Sequence, residues 1–137
     1  MQVVVAEDNP DIRAFIAMGL RCDGHDVVEV SNGIDLRGIA CADPGPDLII
    51  SDIRMPGLSG FEALSGLRRT HRDVPVVVIS AYDDADSRAE ATRLGVEVFV
   101  KKPFDIFELR ETVWNILEPR KPNRRHDLKT VGPASPM

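Results

Sequence analysis

Carboxylate, hydroxyl and ammonium side chains stand directly after short apolar runs at several points in this sequence. Asp52 follows the run Leu48–Ile50 and precedes the turn residues Pro56, Gly57 and Gly60. Taken alone, an aspartate at such a point is more often a turn residue or a helix cap than a functional group. The other polar residues at the ends of apolar runs are Glu7, Asp8, Ser80 and Lys102.

Together these residue types have the chemistry that phosphoryl transfer requires. Hard cations such as Mg²⁺ prefer oxygen ligands, and a carboxylate can also act as a nucleophile and form an acyl phosphate. The remaining requirement is to position the phosphoryl group and neutralise its oxygens with metal, ammonium and hydroxyl groups. We therefore predict Asp52 as the acceptor, with Asp8 and Glu7 holding the metal. Lys102 and Ser80 are expected to contact the phosphoryl oxygens.

Apolar periodicity indicates the elements that position these residues. Strand-like runs occur at Val3–Ala6, Val27–Val30, Leu48–Ile50, Val76–Ile79 and Val96–Val100, and segments with helical spacing separate them. Strands that alternate with helices through short loops predict a doubly wound α/β fold, a (βα)5 three-layer sandwich with a five-stranded parallel sheet. In such sheets ligands bind outside the carboxyl ends of the strands, which is where the polar residues fall.

Each helical segment has an expected apolar face and, in three cases, an expected cap. Asn9 can cap the first helix with Pro10 at its first position, Ser31 or Asn32 the second, and Asp105 the fifth. The expected faces, in chain order, are Ile12, Phe15, Ile16, Gly19 and Leu20; Ile34, Leu36, Ile39 and Ala40; Leu58, Phe61, Leu64 and Leu67; Ala85, Ala89, Thr92 and Leu94; and Ile106, Leu109, Val113, Ile116 and Leu117.

Composition favours an ordinary soluble globular domain. The chain has 137 residues, 43% of them hydrophobic, and holds no apolar run near the ~20 residues that a membrane span needs. The start of the chain lacks the basic region of a signal peptide. Cys22 and Cys41 fit neither a metal spacing nor a disulfide framework, so we expect free thiols in the cytoplasm.

Charge divides the chain into two parts. Residues 119–137 hold five Lys and Arg residues against one acid, whereas residues 1–118 hold 12 basic and 21 acidic residues. The C-terminal part also contains four prolines and has no apolar periodicity. We predict one domain at residues 1–118, followed by a flexible, basic, Pro-rich tail or linker stub at residues 119–137. An acidic domain argues against direct binding of nucleic acid or membrane.

From residue 2 to residue 118 the chain resembles the receiver domain of response regulators from bacterial two-component systems. The matching pieces are Glu7-Asp8, Asp52 within Asp-Ile-Arg-Met-Pro-Gly-Leu-Ser-Gly, Ser80 followed by the small Ala81, and Lys102-Pro103. No single piece is specific. Their order along the chain, each at the end of the appropriate strand, is highly specific.

The resemblance implies a flavodoxin-like sheet with strand order 2-1-3-4-5. It implies that Mg²⁺, for which Mn²⁺ can substitute, binds Asp8, Asp52 and the backbone carbonyl of Arg54. Glu7 would act through water, and the Lys102–Pro103 peptide bond would be cis.

The resemblance also implies a switch and a set of partners. Phosphorylation of Asp52 would draw Ser80 toward the new phosphoryl oxygens and let Phe99 turn inward. A sensor histidine kinase or histidine phosphotransfer protein would donate the phosphoryl group. A downstream protein target or effector domain would read the surface of the fourth helix, fifth strand and fifth helix, with homodimerisation on phosphorylation. The protein would thus be a phosphoprotein of a phosphorelay, catalysing only its own phosphorylation and autodephosphorylation.

Three other functions share parts of this pattern. A Mg²⁺-dependent aspartyl-phosphate phosphatase usually carries a second acid two residues after its nucleophile, where this chain has Arg54. A flavin-binding relative needs a phosphate-cradling loop after the first strand, where Asp8 and Asp11 would repel phosphate. A phosphorylation-independent scaffold of the same fold is disfavoured because the set of pocket residues is complete.

Overall fold

Strands and helices alternate along the chain. The computed structural model describes residues 1–42, 44–69, 73–82, 84–118 and 129–131, the last of these as backbone only. The elements are β1 (Gln2–Ala6), α1 (Pro10–Cys22), β2 (Asp26–Val30), α2 (Gly33–Ala40), β3 (Leu48–Asp52), α3 (Gly60–Arg69), β4 (Val76–Ser80), α4 (Ala85–Arg93), β5 (Val98–Lys101), α5 (Ile106–Leu117) and β6 (Lys129–Val131).

The strands form one parallel sheet in the order β2-β1-β3-β4-β5-β6. The order 2-1-3-4-5 of the first five strands and the doubly wound α/β architecture are therefore confirmed. Strand β6, which pairs with the outer edge of β5, was not predicted from the sequence. Three residues in a polar, Pro-rich segment are too few to show strand periodicity. The rest of the predicted tail, residues 119–128 and 132–137, lies outside the described residues.

Helices cover both faces of the sheet and create two apolar cores. One core joins buried residues of α2, α3 and α4 to the sheet, including Leu36, Leu64 and Ala91. The other joins α1 and α5 to the opposite face, including Leu20 and Leu109. Because both faces are covered, the strands are apolar on both sides and read as continuous rather than alternating hydrophobic runs.

Polar side chains begin the helices where the sequence predicts them. Asn9 accepts hydrogen bonds from the N–H groups of Asp11 and Ile12, and Pro10 is the first residue of α1. Asn32 caps α2, which decides between the two expected residues, and Asp105 caps α5. These caps matter for the site because α1 and α5 begin directly after the polar ends of β1 and β5.

Several expected apolar positions were wrong. Phe15 and Ile34 are 51% and 59% exposed, since α1 and α2 turn other residues toward the sheet. Leu58 precedes α3 and does not belong to it. On α4 the expected Ala85, Ala89 and Thr92 are exposed and Ala91 is buried instead, whereas the expected Leu94, which follows the helix, is buried as predicted. Short side chains define the face of a helix poorly, because few large apolar groups mark the side that must be covered.

Smaller differences concern strand ends and helix length. The fifth strand begins at Val98, two residues later than predicted, and extends to Lys101. The preceding Val96 and Glu97 are nonetheless buried. Within the part of the chain that the structure describes, no helix combines the length and the apolarity that a bilayer crossing needs.

Candidate functional site

Four neighbouring strands deliver polar groups to one edge of the sheet. β1 is followed by Glu7 and Asp8, β3 ends at Asp52, β4 ends at Ser80, and β5 is followed by Lys102. Parallel pairing aligns these ends, because Asp52 pairs with Ile79 and Ser80 pairs with Lys101. The predicted residues from different parts of the chain therefore meet at the carboxyl edge of the sheet.

Lys102 connects the two buried carboxylates of this edge. Its Nζ lies 2.7 Å from Oε1 of Glu7 and 2.8 Å from Oδ2 of Asp52. The side chains of Lys102, Glu7 and Asp52 are 18%, 3% and 10% exposed. The backbone N–H of Lys102 also donates to the carbonyl of Ser80 at 2.8 Å, and the Lys102–Pro103 peptide bond is cis. The backbone hydrogen bond to Ser80 fixes the main chain of Lys102, and the two ion pairs fix its ammonium group between the carboxylates.

Burial and ion pairing act on these groups in opposite directions. Burial raises the pKa of Glu7, although hydrogen bonds from Lys102 and from the Asn9 N–H oppose the increase. Burial also disfavours the charged form of Lys102, but its hydrogen bonds to Asp52 and Glu7 outweigh this effect and raise its pKa. Lys102 therefore remains an ammonium group throughout the neutral pH range.

The carboxylates fit a hard divalent cation. Glu7, Asp8 and Asp52 each offer one carboxylate oxygen, and these oxygens lie within 4.8 Å of one another. Both oxygens of Glu7 already have partners, Oε1 in Lys102 and Oε2 in the Asn9 N–H at 3.1 Å. Asp8 is exposed and leaves room for the waters that Mg²⁺ retains. This arrangement suits Asp8 and Asp52 to direct contact and Glu7 to contact through water.

The backbone after Asp52 belongs to the same site. The N–H of Arg54 donates to Oδ1 of Asp52 at 3.4 Å, which is long for a hydrogen bond. The Arg54 main chain, which the family resemblance implies as a source of one oxygen ligand, is therefore adjacent to the acceptor carboxylate.

Gly60 holds the loop after β3 close to Asp52. A Cβ atom at Gly60 would lie 2.1 Å from the carbonyl oxygen of Asp52, and the Gly60 N–H donates to the Ile53 carbonyl at 2.7 Å. The hydroxyl of Ser51 donates to the same Asp52 carbonyl at 2.8 Å. From the sequence, Gly60 was expected only as a turn residue and no role was predicted for Ser51. A glycine at the start of a helix is the only signal that could have indicated this close approach.

Arg13 supports Glu7 from α1 and was also missed. Its Nη1 donates to the carbonyl of Glu7 at 2.8 Å, and its Nε lies 3.6 Å from a carboxylate oxygen of Glu29 on β2. The N–H of Glu7 in turn donates to the carbonyl of Val30 at 3.0 Å. The contacts with Glu29 and Val30 do not follow from local sequence pattern, because they depend on the pairing of β1 with β2.

The two switch residues lie on neighbouring strands, Ser80 at the end of β4 and Phe99 within β5. Ser80 is fully buried, and its hydroxyl oxygen accepts a hydrogen bond from the N–H of Tyr82 at 2.9 Å. Phe99 is also fully buried and belongs to the core that α2, α3 and α4 cover. Above the site, the guanidinium of Arg54 stacks on the ring of Tyr82, 4.0 Å from its centroid.

Comparison with known proteins gives a consistent result. Residues 3–114 match the response regulator receiver domain family. The chain is 34% identical over 130 residues to the transcriptional regulatory protein PrrA of Mycobacterium tuberculosis, covering 95% of this chain and 55% of PrrA. It is 30% identical over 139 residues to the response regulator protein PilR of Pseudomonas aeruginosa, covering 99% of this chain and 31% of PilR. The chain thus spans about half, or less, of the length of these relatives.

Two solved receiver domains share this architecture. The receiver domain of Francisella response regulator 1452 superposes with a TM-score of 0.77 at 30% identity, covering 84% of this chain and 94% of that domain. The receiver domain of the response regulator NarL from Mycobacterium tuberculosis gives a TM-score of 0.78 at 28% identity, covering 87% and 97%. The phosphatase, flavin-binding and scaffold alternatives gain no support from these relatives. With its fold and its acidic edge in place, the chain belongs to the response regulator receiver domain family.

Proposed function

We propose that this receiver domain accepts a phosphoryl group on Asp52 from a histidine kinase or histidine phosphotransfer protein. The observation that carries the proposal is the position of Lys102, within hydrogen-bond distance of both Asp52 and Glu7. An ammonium at this point offsets the charge of the carboxylates and can neutralise the oxygens of an incoming phosphoryl group.

In the proposed transfer, a carboxylate oxygen of Asp52 attacks the phosphorus of the donor's phosphohistidine. An O–P bond forms as the P–N bond breaks, and the imidazole leaves with the electron pair of that bond. The ammonium of Lys102 then contacts an oxygen of the transferred phosphoryl group and neutralises part of its charge. The hydroxyl of Ser80 donates a hydrogen bond to a phosphoryl oxygen. Its proton is available for this bond because the Ser80 oxygen acts as the acceptor in the hydrogen bond from the Tyr82 N–H.

The metal requirement follows from the donor set. Asp8, Asp52 and the backbone carbonyl of Arg54 would hold Mg²⁺, with Glu7 acting through water, and Mn²⁺ can take its place. When bound, the ion supplies positive charge to the phosphoryl oxygens. The protein's own residues position the acceptor and exclude bulk water from its buried side, since Asp52 is only 8% exposed.

The readout surface in this proposal consists of α4, β5 and α5. Helix α4 is attached to the core through one buried residue of its own, Ala91. An element with few buried apolar contacts opens at low free energy, so α4 is suited to respond to a change at Ser80. The outer edge of β5 already pairs with β6, so a partner would contact side chains of this surface and would not add a strand at that edge.

The place of the protein in the cell belongs to the same proposal. We assign it to the cytoplasm as a signalling switch whose only chemistry is its own phosphorylation and autodephosphorylation. Its output would pass to an effector domain or a separate protein target, and phosphorylation would favour a homodimer. The relatives support such an output, since the names of PrrA and PilR describe a transcriptional regulatory protein and a response regulator.

Intact-mass measurement tests the proposed function. The protein is incubated with Mg²⁺ and acetyl phosphate, with Mg²⁺ omitted in one arm and Asp52→Asn in another. We expect one added phosphoryl group in the wild type with Mg²⁺ and none in either other arm. A folded wild type that gains no phosphoryl group would overturn the proposal in favour of a phosphorylation-independent scaffold.

A further inference from the structure

We propose that Arg88 is a positioning residue that holds the Phe99 ring buried before any phosphoryl group is present. The inference rests on the proposed function in one respect only, namely that Phe99 belongs to the switch. The burial of the ring and its contact with Arg88 are features of the structure itself.

The contact joins α4 to β5 directly. The guanidinium carbon of Arg88 lies 4.9 Å from the centroid of the Phe99 ring, inside the ~6 Å range in which a cation is attracted to an aromatic face. The ring is 0% exposed, so the contact is shielded from water on the ring side. Arg88 itself is partly buried, which allows its aliphatic stem to cover apolar surface while its head carries the charge.

Helix α4 offers little else to cover the ring. Its single buried residue is Ala91, and its other two alanines, Ala85 and Ala89, are exposed. Leu94 is buried only after the helix has ended. Because the apolar face of α4 is this small, the Arg88 side chain adds cover to the ring on this side, beside the apolar residues of the same core.

Strand pairing leaves the orientation of the ring to α4. Phe99 pairs with Val78 on one side and with Thr130 on the other, which fixes its backbone but not its side-chain rotamer. Because phenylalanine has no hydroxyl, an exposed orientation gains no hydrogen bond with water. The cation–π contact with Arg88 therefore adds to the apolar burial that favours the buried rotamer.

The state of Ser80 shows why this matters for the switch. Its hydroxyl oxygen is engaged with the Tyr82 N–H while Phe99 is already buried. The aromatic ring can therefore be buried while the hydroxyl of Ser80 still accepts its hydrogen bond from Tyr82 in the following loop. In this protein, phosphorylation would act mainly on the Ser80 loop and on α4, with a smaller change in the orientation of Phe99.

Fluorine NMR of the full chain tests this inference. The five phenylalanines are replaced biosynthetically by 4-fluorophenylalanine, and the Phe99 signal is assigned with Phe99→Leu. A soluble gadolinium chelate then reports how strongly solvent reaches each ring. In the wild type without phosphodonor, we expect Phe99 to be shielded, whereas Phe15 and Phe107, which are 51% and 70% exposed, relax rapidly.

Variants at two arginines of the same helix separate the contact from general loosening of α4. We expect Arg88→Met to increase the relaxation of Phe99 severalfold and Arg88→Lys, which keeps a cation, to leave it near the wild-type value. Arg93→Met is the control, because Arg93 pairs with Glu90 on the exposed side. An unchanged Phe99 signal in Arg88→Met, an equal effect of Arg93→Met, or equal loss of shielding in Arg88→Lys would overturn the inference.

The outcome is independent of phosphorylation. Repeating the measurement in an Asp52→Asn background should give the same dependence on Arg88. If Asp52 proves not to be phosphorylated while Arg88→Met still exposes Phe99, the proposed function fails and the positioning role stands. If phosphorylation occurs but Arg88→Met leaves Phe99 shielded, the positioning role fails alone.

Discussion

The ammonium of Lys102 lies 2.8 Å from Oδ2 of Asp52, although β3, which ends at Asp52, and β5, which precedes Lys102, are separated by β4. Lys102 therefore reaches across the end of β4, and it contacts Glu7 at the same time. Its charge is the feature that makes three clustered carboxylates compatible with one another and with a phosphoryl group.

Replacing Lys102 by methionine should slow phosphoryl uptake while leaving the acceptor in place. Removal of one preorganised donor from a charged reaction site typically costs about 10²-fold in rate, so we expect a decrease of that order. Lys101→Met is the matched control, because Lys101 is the exposed neighbour at the end of β5. The measurement is the rate of phosphorylation by acetyl phosphate at saturating Mg²⁺. Equal rates in the two variants would contradict the role of Lys102.

Gly60→Ala should disturb both stability and the site. Its Cβ would meet the Asp52 carbonyl oxygen at 2.1 Å, so the loop must shift, at a cost of about 1–3 kcal/mol in unfolding free energy. Gly38→Ala in α2 is the control, since a Cβ there meets nothing within 4 Å. That change should instead stabilise the helix by up to ~1 kcal/mol. Urea denaturation measures both, and a neutral Gly60→Ala would show that the close approach can relax freely.

The stacked pair Arg54 and Tyr82 should lengthen the life of the phosphorylated form by restricting water above the site. The guanidinium lies 4.0 Å from the ring centroid, and an exposed contact of this kind is worth about 0.5–1 kcal/mol. This corresponds to a roughly two- to fivefold faster loss of the phosphoryl group in Arg54→Asn, Tyr82→Ala. Tyr82→Phe, which keeps the ring, should retain the wild-type lifetime. A double variant with an unchanged or longer lifetime would show that the pair does not restrict water.

The ion pair between Asp23 and Arg110 should make the contact between α1 and α5 depend on pH. Hydrogen bonds from Arg110 lower the pKa of Asp23 below its ordinary value of 3.8. A lowered pKa stabilises the fold above the ordinary pKa, and that stabilisation is lost as the pH falls through the lower value. Arg110→Met should therefore reduce Tm at pH 6 more than at pH 2.5. A pH-independent difference in Tm would assign the effect to packing of the arginine stem, whose Cδ lies 3.4 Å from the position that a Cβ on Gly19 would take.

The strands and the edge that carries the site could be predicted from local pattern. Leu48–Ile50 is apolar without interruption because both of its faces are covered, and Asp52 follows it after one residue, Ser51. Once the sheet is parallel, the residues after each strand must gather at one edge, so Glu7, Asp8 and Lys102 were expected near Asp52 before their contacts were known. The helix caps at Asn9 and Asp105 could also be predicted, because capping depends only on the residues next to the start of the helix.

Contacts between distant elements could not be predicted in this way. The approach of Gly60 to Asp52, the hydrogen bond of Arg13 to Glu7 and the stacking of Arg88 on Phe99 each depend on tertiary geometry. Helix α4 was assigned the wrong face because alanine and threonine mark a buried side only weakly. The pairing of β6 with β5 rests on backbone hydrogen bonds, which leave little trace in residue type.

The most direct test of the account is to locate the phosphoryl group on the chain. After incubation with Mg²⁺ and acetyl phosphate, borohydride reduces an aspartyl phosphate to homoserine, and tryptic peptides are sequenced by mass spectrometry. The account predicts conversion at Asp52 alone, within the peptide that begins at Gly38 and ends at Arg54. Conversion at Asp8, within the N-terminal peptide, or at no aspartate of the folded protein would contradict it.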